Sequence, residues 1–85
     1  MINLDKPIGK VSHYYDKLGV AIIDLEKGGL KVGDQIKFKK GDKEFTQKIE
    51  SLQVEHDSVD SVKPGDSFGV KVDQPAKPGA LVFLA

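Results

Sequence analysis

The sequence contains no cysteine, and its 13 basic residues are all lysine, without a single arginine. The first absence excludes disulfides, thiolate catalysis and zinc–thiolate sites. The second removes the side chain best suited to forked contacts with phosphate or guanine, leaving lysines that act as mobile point charges. No charge of one sign is in excess either: 13 Lys stand against 13 Asp+Glu, so no net attraction draws the chain to polyanions. No apolar run approaches the roughly 20 residues of a membrane span, and Met1–Lys10 lacks the apolar core of a signal peptide. The expectation is a cytoplasmic protein without membrane contact. No GxxxxGK[S/T] or GxGxxG sequence occurs, so GTP or other nucleotide binding is not expected.

What is present is a chain of 85 residues, 39% hydrophobic and 31% charged. That composition suits a soluble globular domain and not a disordered chain. The length allows one domain, 1–85, with a single small core that buries roughly 60–65% of the unfolded surface. Charge is unevenly spread. Residues 1–48 carry ten Lys against seven acids, a balance of +3, and residues 49–85 carry three Lys against six acids, a balance of −3. The densest basic stretch is Lys37, Lys39, Lys40, Lys43 and Lys48, diluted by Asp42 and Glu44. It fits a solvated hairpin whose edge lysines discourage aggregation, or a polyanion-binding patch.

The apolar pattern is of period two throughout and predicts an all-β fold. Ile8 to Tyr15 is rich in β-branched and aromatic residues. Leu18 to Glu26 holds the near-continuous run Val20–Ile23 expected of a strand buried on both sides. Gln35 to Lys40 alternates, with Ile36 and Phe38 inward, turns at Gly41-Asp42, and returns through Phe45, Gln47 and Ile49. Ile49 and Leu52 are three apart yet both suit the core, which predicts a β-bulge at Glu50-Ser51. Phe68, Val70 and Val72 make a further strand and Ala80 to Leu84 the last. Val54 to Val62 reads as a loop or a single helical turn. Gly/Pro turns separate the runs, at Lys27-Gly28-Gly29, Gly33-Asp34, Lys63-Pro64-Gly65-Asp66 and Lys77-Pro78-Gly79. Six or seven short strands so punctuated favour a small closed barrel, in which closure protects the edges.

Little in the chain points to catalysis. None of Ser12, Ser51, Ser58, Ser61 and Ser67 lies in the strand-to-helix elbow of a serine hydrolase, and the expectation is a protein that is not an enzyme and needs no cofactor. His13 and His56 lie far apart in sequence. They suit a barrel-rim residue and a loop residue better than a pair of metal ligands, and no metal site is expected. Tyr14 and Tyr15 must point to opposite faces of their strand, so one can be exposed beside His13 as a stacking platform.

Two segments resemble a known domain. Gly29-Leu30-Lys31-Val32-Gly33-Asp34 is similar to the G-x-L-K-x-G-D turn in the second, β-barrel domain of translational GTPases. Ser51 to Val59, continuing through Lys63-Pro64-Gly65-Asp66-Ser67-Phe68-Gly69-Val70, resembles the S-I-E-M-H-H…P-G-D segment of that domain in elongation factor 1-alpha and elongation factor Tu. The resemblance runs from about Ile8 to Leu84 and implies a six- to seven-stranded Greek-key barrel of the translation-factor domain 2 type. In that family the barrel helps hold the aminoacylated end of tRNA, with an acid of the S-I-E-M segment near the terminal adenosine. Gln53 stands at that position here, and of the H-H pair only His56 is matched. The family's GTPase domain has no counterpart in these residues. A similar barrel is the accessory C-terminal domain of certain collagenase-type peptidases, whose catalysis lies in another domain.

The resemblance leaves two expectations. One is a binding module for RNA (tRNA or ribosomal) or the translation machinery, using Lys37, Lys39, Lys40, Lys43 and Lys48 with Gln53, Glu55 and His56, and Tyr14 as a further contact. The other is a protein–protein interaction module acting in trans with a partner enzyme or factor.

Overall fold

A computed structural model describes residues 7–55 and 57–85. Its described residues form ten strands in two sheets and contain no helix: β1 Gly9–Tyr15, β2 Val20–Leu25, β3 Leu30–Lys31, β4 Gln35–Lys40, β5 Lys43–Lys48, β6 Leu52–Val54, β7 Asp57–Val59, β8 Ser61–Val62, β9 Ser67–Lys71 and β10 Leu81–Leu84. The fold is all-β, as the period-two pattern predicts. The larger sheet has eight antiparallel strands in the order β5-β4-β10-β1-β2-β9-β6-β7, and β3 pairs with β8 in a separate ribbon.

Closure is where the fold departs from expectation. The hydrogen-bonded ladder has two ends, β5 and β7, and is not a closed ring of six or seven strands. The β5 end is tied back to the sheet by other means. Gln47, the buried polar residue of β5, donates from Nε2 to the Lys71 carbonyl at 2.8 Å and accepts the Asp73 N–H on Oε1 at 2.9 Å. One side chain thus bridges β5 to the end of β9, where a ladder would otherwise run.

The core is the inner face of the curled sheet: Val11, Ala21, Ile23, Ile36, Phe38, Ile49, Leu52, Phe68, Val70 and Val82, each at most 1% exposed. Phase breaks set which residues reach it. A bulge between Val11 and His13 shifts β1 by one residue against β2, so that Val11 and Tyr14, three apart, both face inward. The bulge expected at Glu50-Ser51 is instead a strand break. β5 ends at Lys48, and Ile49 leaves the ladder to exchange backbone bonds with Asp34 (2.8 Å) and Gly33 (2.9 Å) before β6 begins. Val20–Ile23 is not buried on both sides: Ala21 and Ile23 are buried, while Val20 and Ile22 are half-buried over Gly69 on the outer face. Val54–Val62 is neither loop nor helical turn, for it contains β7 and β8. The alternation is obscured there because each strand is only two or three residues long.

Two turns share a construction. In Lys31-Val32-Gly33-Asp34 and in Lys63-Pro64-Gly65-Asp66, the aspartate Oδ2 accepts the lysine N–H (3.0 and 3.1 Å), and the aspartate N–H bonds the lysine carbonyl (3.1 Å in both). Gly33 at φ 102° and Gly65 at φ 96° occupy the third position, where a type II turn requires positive φ.

Candidate functional site

The lysine-rich stretch builds the β4–β5 hairpin, and its register sorts the lysines by face. Cross-strand pairs run Gln35↔Lys48, Ile36↔Gln47, Lys37↔Thr46, Phe38↔Phe45, Lys39↔Glu44 and Lys40↔Lys43. Because paired residues share a face and faces alternate, Lys40 and Lys43 lie on the inner face, in line with Phe38 and Phe45. Lys37 and Lys39 lie on the outer face. The hairpin outruns the core: Phe38 is buried, Phe45 is half-buried at 4.9 Å between ring centroids, and Lys40 and Lys43 are exposed beyond them.

The segment after β9 folds back against this overhang. Lys40 Nζ donates to the Pro78 carbonyl at 2.6 Å, and Gln74 to Lys77 stand opposite Lys43, Glu44 and Phe45. Between them is a cavity of about 410 Å³, within the range of ligand pockets but toward the small end. Phe38, Phe45, Pro75, Ala76 and Ala80 give it apolar walls; of the charged residues that line it, Lys40 and Lys43 lie on the inner face of the hairpin and Lys77 on the opposite wall, while Lys39 and Glu44 pair on the outer face.

The remaining candidate residues are dispersed. Lys37 lies with its Nζ 5.1 Å from the Phe83 ring centroid, a cation–π contact outside the cavity. Lys48 is exposed at the opposite end of β5. Gln53 and Glu55 belong to β6 and the position after it, on the far side of the sheet. His56 lies outside the described residues. Tyr14 packs against the core, and it is Tyr15, 49% exposed, that stands on the open face with its ring 6.4 Å from that of His13.

Gln53 belongs to a second surface. The ladder aligns His13, Ile22, Gly69, Gln53 and Ser58 in one row across β1, β2, β9, β6 and β7, with Tyr15, Val20 and Lys71 in the row beside it. Gly69 keeps the middle of this face low: a Cβ there would stand 3.3 Å from a Val20 methyl and 3.4 Å from an Ile22 methyl. Among the described residues, no group of three or more His, Cys, Asp or Glu is placed to hold a metal ion.

Sequence reasoning missed the second wall of the cavity, because Lys77-Pro78-Gly79 reads only as a turn. A signal for the first wall was present: the inward phase of Phe45 and Gln47, continued back through the turn, puts Lys43 and Lys40 on the inner face.

No protein-family model matches the chain. It is 35% identical over 78 residues to a protein of Methanocaldococcus jannaschii described as an uncharacterized protease, and 33% identical over 73 residues to elongation factor 1-alpha of Sulfolobus acidocaldarius. These matches cover 91% and 81% of the chain, which spans only 19% and 16% of the two relatives. Among solved structures, the chain superposes on the C-terminal domain of a Geobacillus thermoleovorans protein assigned to the U32 peptidases. The TM-score is 0.84 at 25% identity, covering 92% of this chain and 98% of that domain. A second structure of that domain gives a TM-score of 0.87 at 23% identity, which shows the fold.

Proposed function

We propose that this chain is a non-catalytic binding module that works beside a peptidase catalytic unit, recognising a protein partner rather than carrying out chemistry. The observation that carries this reading is the superposition on a peptidase C-terminal domain over 92% of the chain and 98% of the domain, at 25% identity. The protease relative matched over 91% of the chain supports it. We read the curled sheet as the accessory barrel of such peptidases, a Greek-key arrangement of the translation-factor type with its seam bridged by Gln47. An RNA role gains little from the surface, because the lysines do not form one face. Lys37 lies over Phe83, Lys40 is tied to Pro78, and Lys48 is at the other end of β5.

The test is an amide-shift titration of isotope-labelled protein, with a U32-type catalytic domain lacking its own C-terminal domain and, separately, with bulk tRNA at two salt concentrations. The expected result is a set of shifts with the peptidase domain that persists at the higher salt. Salt-sensitive shifts with tRNA alone would overturn the reading, since phosphate contacts weaken steeply as salt rises.

A further inference from the structure

We infer that the groove between the β4–β5 hairpin and the Gln74–Ala80 segment receives an extended acidic peptide carrying an apolar anchor residue. This assignment rests on the binding-module reading and names the class of partner. Three observations converge on it.

The first is charge. In a chain of zero net charge, the groove is lined by Lys40 and Lys43 on the inner face of the hairpin and by Lys77 on the opposite wall, while Lys39 and Glu44 at its rim pair on the outer face. Lys40 and Lys43 are direct cross-strand neighbours on one face. Like charges so placed destabilise a hairpin, and an anion between them turns the repulsion into attraction. The second is the apolar floor. Phe38 and Phe45 stack beneath the lysine pair, and Ala76 and Ala80 leave room above them. Along the hairpin, the lysine pair is two residues beyond the phenylalanine pair on the same face. An extended peptide repeats that spacing, since its side chains return to one face every second residue.

The third is the backbone. β5 ends the sheet, and no strand lies beyond it among the described residues. Gln47 spans from β5 to Lys71 and Asp73, while Lys43, Glu44 and Phe45 face Gln74–Lys77 across open space. The seam is therefore bridged at one end and unfilled at the other. A peptide strand added to the free edge of β5 gains main-chain hydrogen bonds, while the pockets supply specificity.

The probe is a fluorescently labelled peptide with one Phe flanked by Glu at two-residue spacing on either side, compared with its Lys-for-Glu and Ser-for-Phe counterparts. The Glu/Phe peptide is expected to bind and to shift the amides of Lys39–Phe45 and Gln74–Ala80, while both counterparts bind at least about tenfold more weakly. The double variant Lys43→Gln/Lys77→Gln removes one exposed charge from each wall without touching the Lys40–Pro78 bond. It is expected to weaken the Glu/Phe peptide by about tenfold with an otherwise native amide spectrum, the scale of two exposed charge contacts. Equal affinity for the Lys-for-Glu peptide, or shifts confined to other surfaces, would overturn the assignment. So would preferential filling of the groove by tRNA or by a free fatty acid. Peptidase-domain shifts at a different face would overturn the groove assignment and leave the module reading standing, so the two fail separately.

Discussion

Glu55 carries its backbone at φ 52°, the one positive φ outside glycine among the described residues. The left-handed conformation costs an L-residue roughly 1–2 kcal/mol, whereas glycine adds roughly 0.5–1 kcal/mol of chain entropy to folding. The first term exceeds the second, so Glu55→Gly is expected to raise stability by about 0.5–1 kcal/mol, read from the midpoint of urea unfolding. A loss of stability would show that the glutamate side chain makes a contact worth more than the strain. Phe38 is the opposite case, buried at the floor of both core and groove. Phe38→Ala is expected to cost about 3–5 kcal/mol, and unchanged thermal stability would mean that the β4 phase is misassigned. This phase was legible in the sequence because Gln35–Lys40 alternates without interruption. The phase of Tyr14 and Tyr15 was not, because it depends on a bulge before His13 that no glycine or proline marks.

At the scale of elements, the hairpin lysines have unequal surroundings although they look alike in sequence. Lys39 and Lys43 are exposed, while Lys37 is half-buried with its ammonium over Phe83. Lys39→Ser and Lys43→Ser are each expected to change stability by no more than about 0.5 kcal/mol. Lys37→Ser is expected to cost about 0.5–1 kcal/mol through the lost cation–π contact and stem packing. Denaturant titrations of the three single variants separate them, and equal effects would remove any special place for the Phe83 contact. The hairpin itself was readable from Gly41-Asp42 between two alternating runs. The groove was not, because its other wall begins some thirty residues later in a segment whose Pro and Gly residues signal only a turn. Likewise β7 and β8 are too short for periodicity to declare. Their pairing depends on partners, β6 and β3 respectively, that local patterning cannot select.

The molecule as a whole depends on how the β5 end of its sheet meets the end of β9. In a ring closed by a ladder, several backbone bonds would share the load, whereas here the Gln47 side chain makes two of the bonds across the seam. Alternation placed Gln47 inward from sequence alone. Its partners, 24 and 26 residues onward, were beyond any local rule. Gln47→Leu keeps the size and removes both bonds, leaving a part-buried N–H at Asp73 and a carbonyl at Lys71 to find water. Each unsatisfied group costs about 1–3 kcal/mol when fully buried; partial burial puts the expected loss at about 2–4 kcal/mol in total. A chain of this length has a total stability of about 4–13 kcal/mol at typical values per residue, so the loss is a large share of the total, and the variant opens more readily at the seam. Native-state hydrogen exchange distinguishes this from uniform weakening. The Asp73 amide is expected to lose protection by more than the global loss accounts for, while the amides of β1, β2 and β9 follow the global loss alone. If Asp73 keeps its protection in Gln47→Leu, the seam is held by the packing of Val72 and Ala76 against the core, and the two hydrogen bonds only decorate a closure already made.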